Sequence, residues 1–243
     1  MNLNFLRPSH GLLQKKYVGT AALQLSQWFS SAAGERTALL EQQLLAQMLR
    51  RCWGENLCYM TLMKYGLDLS GHSAIRHAVR LYSPDLESLA HQTTDDASVI
   101  LELEDWPLSD ASCYSILLQH TLDIAEHPQQ VVREVARVLA PGGLLIVLGF
   151  NPWSLWRGQQ QLQKFLMKKT ACIGQWIGAY RLTDWLHLLN FDVEIVYRSQ
   201  GRAVYGLVAK KRNMSMKLEK RNSALSPTFV TVSMASKNMV LKP

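Results

Sequence analysis

Two short apolar runs on either side of an amphipathic helix constrain the fold of this chain more than any other feature. The runs are Cys113–Leu118 and Gly143–Phe150, and each is too short for a buried helix but suits a buried strand. Between them, from Pro128 to Leu139, valines recur at steps of three and four residues, the spacing of one helix face. A strand, a helix and a strand with tight joints form a βαβ unit, in which the strands are parallel. The sequence therefore predicts an α/β fold with a largely parallel sheet covered on both faces.

Further patterns predict strands on both sides of this unit. Leu57–Met63 and Ala97–Leu103 are short apolar runs bounded by turn residues, and each predicts a buried strand. The segments 191–198 and 203–209 alternate apolar and polar residues, and the four residues between them predict a hairpin turn. The sheet should therefore end in an antiparallel hairpin.

Two more helices are predicted outside the βαβ unit. Apolar residues at helical spacing run from Thr37 to Arg51, ahead of the first strand. The second helix should run from Thr183 to Leu189, with Thr183 as its N-cap and Asn190 as its stop. Pro141-Gly142-Gly143 is interpreted as the stop of the helix inside the βαβ unit.

The length of 243 residues and the 48% hydrophobic content predict one domain with modest extensions. We divide the chain into a leader without clear periodicity (1–24), a domain (25–209) and a basic tail (210–243). The tail holds eight Lys or Arg residues against the single acidic residue Glu219, so it accounts for the whole net charge of +7. A solvated, disordered extension is the favoured interpretation. Binding of nucleic acid through the tail is the alternative, and it predicts affinity that falls steeply with salt.

The cysteines and the apolar runs predict a cytoplasmic protein. The four cysteines show neither a C-x-x-C pair nor metal-ligand spacing with the seven histidines, so buried thiols in a reducing compartment are expected and no metal site is. No run approaches the roughly 20 apolar residues that a membrane span needs. We therefore expect no membrane span.

The segment from residue 102 to 143 resembles a known family. It begins with the acidic cluster Glu102-Leu103-Glu104-Asp105 and the step Trp106-Pro107-Leu108, continues through the strand that ends near His120, and closes with Arg133-Glu134-Val135-Ala136-Arg137-Val138-Leu139-Ala140-Pro141-Gly142-Gly143. This pattern resembles the type 11 domain of class I S-adenosylmethionine-dependent methyltransferases. The continuation to Trp156, together with residues 28–34 and 181–186, is similar to the bacterial YafS-like subgroup.

The resemblance implies a fold, a reaction and a cofactor. The fold would be Rossmann-like, with a mainly parallel seven-stranded sheet, a C-terminal antiparallel hairpin and helices on both faces. The reaction would be transfer of a methyl group from S-adenosyl-L-methionine to an acceptor that the sequence does not identify. The runner-up interpretation is a degenerate methyltransferase fold that acts as an interaction module, with Trp153, Trp156, Trp176 and Trp185 contributing to a partner surface.

Candidate site residues follow the strands, because ligands of open α/β sheets lie beyond the carboxyl ends of the strands. The resemblance assigns Glu102 to the adenine amino group of the cofactor and Leu103 to the adenine ring, against the alternative that Glu102 belongs to a solvated acidic cluster. The remaining candidates for cofactor binding are Lys64, Tyr65, Gly66, Asp85 and Gln119. His120 is the candidate catalytic residue, as a base or a substrate contact, since imidazole titrates near neutral pH.

The first half of the predicted domain departs from the family pattern. The family places a G-x-G-x-G loop after its first strand, where glycine permits close approach to the cofactor. Here the corresponding segment, residues 64–71, offers only Gly66 and Gly71. This departure keeps the interaction-module alternative open.

Overall fold

The computed structural model describes residues 11–54, 56–61, 75, 77–83, 97–152, 176–199, 204–213 and 228–232. Five helices and eight strands occur in these ranges. In chain order they are α1 Gly11–Phe29, α2 Ala32–Leu49, β1 Asn56–Thr61, β2 His77–Tyr82, β3 Ala97–Ile100, β4 Cys113–Gln119, α3 Thr121–Ile124, α4 Pro128–Val138, β5 Leu139–Phe150, α5 Ala179–Leu188, β6 Phe191–Ser199, β7 Val204–Lys211 and β8 Thr228–Val232.

The described strands form one sheet in the order β3-β2-β1-β4-β5-β7-β6-β8. Strands β1 to β5 pair in parallel, as the βαβ pattern predicted. Strand β7 runs antiparallel to both β5 and β6, so the predicted hairpin is confirmed. The carboxyl ends of β1, β4 and β5 therefore meet at one edge of the sheet.

The side chains of each central strand alternate between two buried clusters, one on each face of the sheet. On one face, α2 packs Leu44, Leu45 and Met48 against alternate residues of β1, β4 and β5. On the other face, α1, α4 and α5 pack over the residues that lie between them in sequence. The valines of α4 are fully buried, as their helical spacing predicted. Helices thus cover both faces of a mixed α/β sheet, as expected.

Several predicted element boundaries differ from the structure. The helix predicted from Thr37 begins at Ala32, and the strand predicted to end at Leu103 ends at Ile100. The helix predicted from Thr183 begins four residues earlier, at Ala179, with Gly178 at the N-cap. Thr183 lies inside that helix, where its hydroxyl donates to the carbonyl oxygen of Ala179 at 2.8 Å instead of capping. The predicted stop is correct, since Asn190 adopts a φ of 62°.

The Pro-Gly-Gly segment also behaves differently from the prediction. It lies inside β5, where the pairing with β4 shifts register between Cys113 and Ser115. Gly142 adopts a φ of 80° there, a conformation that costs glycine little. The segment is therefore an irregularity within a strand, and α4 ends one residue before β5 begins.

Both termini contribute more structure than the sequence indicated. Residues 11–24, which were assigned to a leader without periodicity, belong to helix α1, and its Ala21, Ala22 and Leu25 are buried in the core. Within the tail predicted to be disordered, β8 pairs in parallel with β6 and becomes an eighth strand in a sheet predicted to have seven. The division of the chain into leader, domain and tail otherwise stays a prediction.

Candidate functional site

The carboxyl end of β4 forms the centre of the candidate site. Thr61, the last residue of β1, pairs with Gln119, the last residue of β4, and Gln119 pairs with Leu148 of β5 on its other side. His120 follows directly and adopts a φ of 57°, in the left-handed region, where histidine occurs more often than most residues. This backbone conformation ends β4 and starts α3.

His120 uses both ring nitrogens within the protein. Its Nε2 lies 2.8 Å from Oε1 of Glu41, on α2. Its Nδ1 lies 2.8 Å from Oδ2 of Asp123, on α3. All three side chains are at most 1% exposed. A ring that bonds two carboxylates donates from both nitrogens, so the arrangement is that of an imidazolium between two carboxylates.

The carboxylates of Glu41 and Asp123 also accept hydrogen bonds from other parts of the fold. The Gln119 amide donates to Oε2 of Glu41 at 2.8 Å, and its carbonyl oxygen accepts from the Thr61 hydroxyl at 2.7 Å. Asp123 Oδ2 also accepts the backbone N–H of Phe150, the last residue of β5, at 3.1 Å. We call Thr61, Gln119, Glu41, His120 and Asp123 the buried polar cluster. It joins α2 and α3 to the ends of three strands.

The charges of this cluster depend on one another. Complete burial alone would lower the pKa of His120, but the adjacent Glu41 and Asp123 carboxylates outweigh it and raise this pKa to about 10. Burial raises the pKa of Asp123, and the hydrogen bond from His120 opposes that rise. His120 is therefore protonated at neutral pH and has no free nitrogen with which to accept a proton in this arrangement.

Aromatic rings enclose the histidine. The Phe150 ring stacks on His120 with centroids 4.2 Å apart, and Phe29 of α1 lies at 5.3 Å. Trp176 stacks on Phe150, with the ring centroids 5.2 Å apart. This apolar surround lowers the local dielectric and strengthens the interactions between the charges.

The residues after β3 form a second part of the candidate site. Glu102 is an exposed residue directly beyond the strand. Leu103 is 4% exposed and packs in the core. Glu104 accepts the backbone N–H of His127 at 3.1 Å, so the acidic cluster is not simply solvated.

Arg137 holds this segment in place. Its guanidinium donates to the carbonyl oxygens of Trp106 and Leu108 at 2.9 and 2.8 Å. It also pairs with Glu134 and Asp110. Glu134 in turn accepts the backbone N–H of Trp106 at 3.1 Å. Two residues of the sequence motif Arg133-Glu134-Val135-Ala136-Arg137 therefore clamp the chain that follows β3.

The structure brings some predicted site residues together and leaves others apart. Gln119 and His120 are adjacent in the buried polar cluster, whereas Glu102 and Leu103 follow β3, three strands away in the order of the sheet. Lys64, Tyr65, Gly66 and Asp85 lie outside the described residues. The roles assigned to all of these residues stay predictions.

Sequence analysis missed Glu41 and Asp123. Glu41 precedes Leu44 by three residues and Leu45 by four, so it lies on the apolar face of α2. A carboxylate on such a face signals a buried partner, because burying it without one is costly. Asp123 follows His120 at a spacing of three residues, which places the two side chains side by side in a helical turn.

Three of the four cysteines are buried free thiols, namely Cys52, Cys58 and Cys113, as predicted. The sulfur atoms of Cys58 and Cys113 lie 3.0 Å apart. Cys172 lies outside the described residues. None of the described helices is long and apolar enough to cross a membrane.

Comparison with known proteins places a family match on the central part of the chain. Residues 53–147 match the methyltransferase domain family. The chain is also 39% identical over 87 residues to the uncharacterised protein YafS of Escherichia coli strain K12. That alignment covers 36% of this chain and 36% of YafS, so this chain matches little more than a third of that relative's length.

Solved structures share the fold at low sequence identity. Magnesium protoporphyrin IX methyltransferase of Synechocystis PCC 6803, which was solved with bound SAH, is 11% identical, with a TM-score of 0.59 over 84% of this chain and 100% of that one. The [4+2]-cyclase SpnF is 13% identical, with a TM-score of 0.57 over 85% of this chain and 97% of that one. At these identities the likeness concerns the fold.

The family match over residues 53–147 and the similarity to YafS agree with the resemblance found in the sequence. The resemblance inferred from the residues that follow β3 and from the Arg-Glu-x-x-Arg helix is therefore confirmed. So is the Rossmann-like α/β fold.

Proposed function

We propose that this protein is an S-adenosylmethionine-dependent methyltransferase that acts at the carboxyl edge of its sheet. The observation that carries the proposal is the methyltransferase-family match over residues 53–147, on a sheet whose parallel strands direct their carboxyl ends to one edge. That edge is where open α/β sheets bind ligands.

Glu102 would contact the cofactor. Glu102 is an exposed residue directly after β3, and a carboxylate accepts hydrogen bonds from an amino group. The clamp formed by Arg137 and Glu134 fixes the backbone that follows it. When bound, the cofactor would supply an electrophilic methyl group, and the protein would contribute alignment and exclusion of water.

His120 would serve as a positioning residue. As an imidazolium held by Glu41 and Asp123 it would keep the ends of β4 and β5 in place. To act as a base or to contact the acceptor directly, as the sequence suggested, it would have to exchange one of these carboxylates for the acceptor. In either role, His120 would lie at the centre of the site.

Calorimetric titration of the full chain tests cofactor binding. We expect S-adenosylmethionine and its demethylated product to bind competitively. Glu102→Gln should weaken binding by about tenfold or more, because a hydrogen bond to a charged group contributes about 1.5–3 kcal/mol. Asp105→Asn, which removes an exposed carboxylate three residues along, is the matched control and should bind as the unaltered protein does. Absence of heat and of competition at millimolar cofactor would reject the proposal.

A second candidate function is an interaction module built on a methyltransferase fold. The hydrogen bonds of Gln119 and His120 favour it. The side chains of these two residues bond Glu41, Asp123 and Thr61 and so do not face a ligand in this arrangement. The fold itself is also that of the cyclase SpnF. A chain that binds no cofactor, but elutes from its own cells in a complex of defined mass, would support this function. A chain that binds no cofactor and is always monomeric would reject both.

A further inference from the structure

A polar pocket of about 340 Å³ lies between the start of α4 and the start of α5. Its lining includes His127 and Arg133 from the first turns of α4, and Trp176, Arg181 and Trp185 from α5 and the residues before it. This volume falls within the range of about 300–1,000 Å³ that is typical of small-molecule sites. The pocket is therefore large enough for a ligand the size of a substituted aromatic ring.

The pocket holds an excess of positive charge. Arg133 and Arg181 are both exposed, and neither forms an ion pair with a residue that the structure describes. Glu126 is the one acidic residue among the described lining residues. The start of α4 adds the positive end of a helix dipole to the same field.

Arg133 differs from the other two charged residues of its motif in what its side chain contacts. Glu134 and Arg137 form hydrogen bonds with Trp106 in the segment after β3. Arg133 lines the pocket instead. Arg181 is held over the Trp185 ring, with its guanidinium carbon 5.3 Å from the ring centroid. Stacking of this kind orients a guanidinium and leaves its N–H donors available.

One wall of the pocket leads to the buried polar cluster. Trp176 lines the pocket and stacks on Phe150, and Phe150 stacks on His120. A ligand in the pocket would thus lie beside the aromatic group at the carboxyl ends of β4 and β5. This is the edge at which the proposed reaction takes place.

We propose that this pocket binds an oxyanion, a carboxylate or a phosphate, that is attached to a planar apolar group. Arg133 and Arg181 would hold the oxyanion, because guanidinium groups bind carboxylates and phosphates in paired hydrogen bonds. Trp176 would pack on the planar group. The assignment of this ligand as the methyl acceptor rests on the proposed methyltransferase function, but the existence of the pocket does not.

Fluorine NMR of the full chain labelled with 5-fluorotryptophan tests the pocket directly. The resonances of Trp176 and Trp185, among the seven tryptophans, are assigned with Trp176→Phe and Trp185→Phe. The probes are benzoate and phenyl phosphate, and benzamide serves as the neutral analogue. We expect both anions to shift these two resonances saturably, with affinity that falls as salt is raised, and we expect benzamide to have no such effect. The preferred anion distinguishes a carboxylate site from a phosphate site.

Substitutions define the role of the arginines. Arg133→Gln and Arg181→Gln should each weaken anion binding by about tenfold or more, as expected for loss of a charged hydrogen bond. Arg36→Gln removes an exposed arginine of α2 and should leave binding unchanged. Equal shifts with benzamide, or unchanged affinity in both pocket variants, would overturn the proposal. Anion binding by a chain that fails to bind S-adenosylmethionine would keep the pocket and reject only the methyltransferase assignment.

Discussion

At the scale of single residues, Glu41 decides how the carboxyl end of β4 is built. It is completely buried and bonds both Gln119 and His120. Charges in the interior are tolerated when they are paired and their remaining hydrogen-bonding atoms are satisfied. The Glu41 carboxylate meets that condition, since each of its oxygens has a partner.

Replacing Glu41 by glutamine should destabilise the protein strongly. The change keeps the shape of the side chain but removes the charge that His120 faces. Breaking a buried ion pair from one side costs about 3–5 kcal/mol, and urea unfolding at pH 7 measures it. Glu35→Gln, on the exposed side of the same helix, is the control and should cost less than about 1 kcal/mol.

The pH dependence of this loss separates the ion pair from simple packing. The pKa of His120 is raised from 6.5 to about 10 in the folded protein, so its stabilising contribution is complete below about pH 6.5 and is lost as pH rises to about 10. The free energy of unfolding should therefore fall across this window in the unaltered protein. The free energy of unfolding of the Glu41→Gln variant should fall less, so the difference between the two proteins should become smaller as pH rises through the same window. A constant difference would show that Glu41 contributes through packing alone.

At the scale of helices and strands, the corner between α1 and α2 brings Phe29 against His120. Gly34, in the first turn of α2, permits this corner. A Cβ at Gly34 would lie 2.1 Å from the carbonyl oxygen of Trp28 and 2.5 Å from the Cα of Phe29. Both are backbone atoms, so the two helices would have to separate.

Gly34→Ala should therefore shift α1 away from the site. We expect a loss of about 1–3 kcal/mol, the usual cost of forcing extra atoms into a packed region, and a change in the NMR signals of the His120 ring. Denaturant unfolding and a histidine-selective spectrum measure the two effects. Gly178→Ala is the control, since its Cβ would lie at an ordinary 3.4 Å from Pro152. An unshifted His120 signal in Gly34→Ala would show that the corner does not position α1.

At the scale of the whole molecule, residues beyond 209 take part in the fold. The Lys211 ammonium donates to the carbonyl oxygens of Ala136 and Leu139, both at 2.6 Å, and Arg212 pairs with Asp192. Strand β8 then covers the edge of β6. Part of the basic charge assigned to the tail is thus used inside the domain. Binding of nucleic acid by the remainder stays a prediction.

Removing residues 214–243 should uncover the β6 edge. Amides of Ile195–Ser199, which pair with β8, should then exchange with deuterium faster, because an unpaired edge strand exposes its backbone groups to water. Hydrogen–deuterium exchange with mass spectrometry measures this. A chain that lacks only residues 233–243 keeps β8 and should exchange as the full chain does. Equal protection in both truncated chains would show that β8 does not cover this edge.

Much of the architecture could be predicted, because local periodicity encodes it. The valine spacing of α4, the short runs of β4 and β5, and the alternation of β6 and β7 report which faces are buried. The N-terminus of α5 was placed wrongly, because a threonine hydroxyl bonds as well to the preceding helical turn as to a free helix end. The eighth strand was missed because the excess of basic residues in the tail as a whole favoured the interpretation of a solvated, disordered extension.

By itself the sequence determined the parallel sheet, the terminal hairpin and the family to which residues 53–147 match. It also pointed to Gln119 and His120, since residues that follow strands are identifiable from the strand pattern. Only the tertiary structure decided what these residues contact. Glu41 lies 79 residues before His120, and the pocket joins two helices that the sequence places far apart. Such contacts depend on how helices cross and pack, and periodicity along one element carries no information about the partner that another element brings.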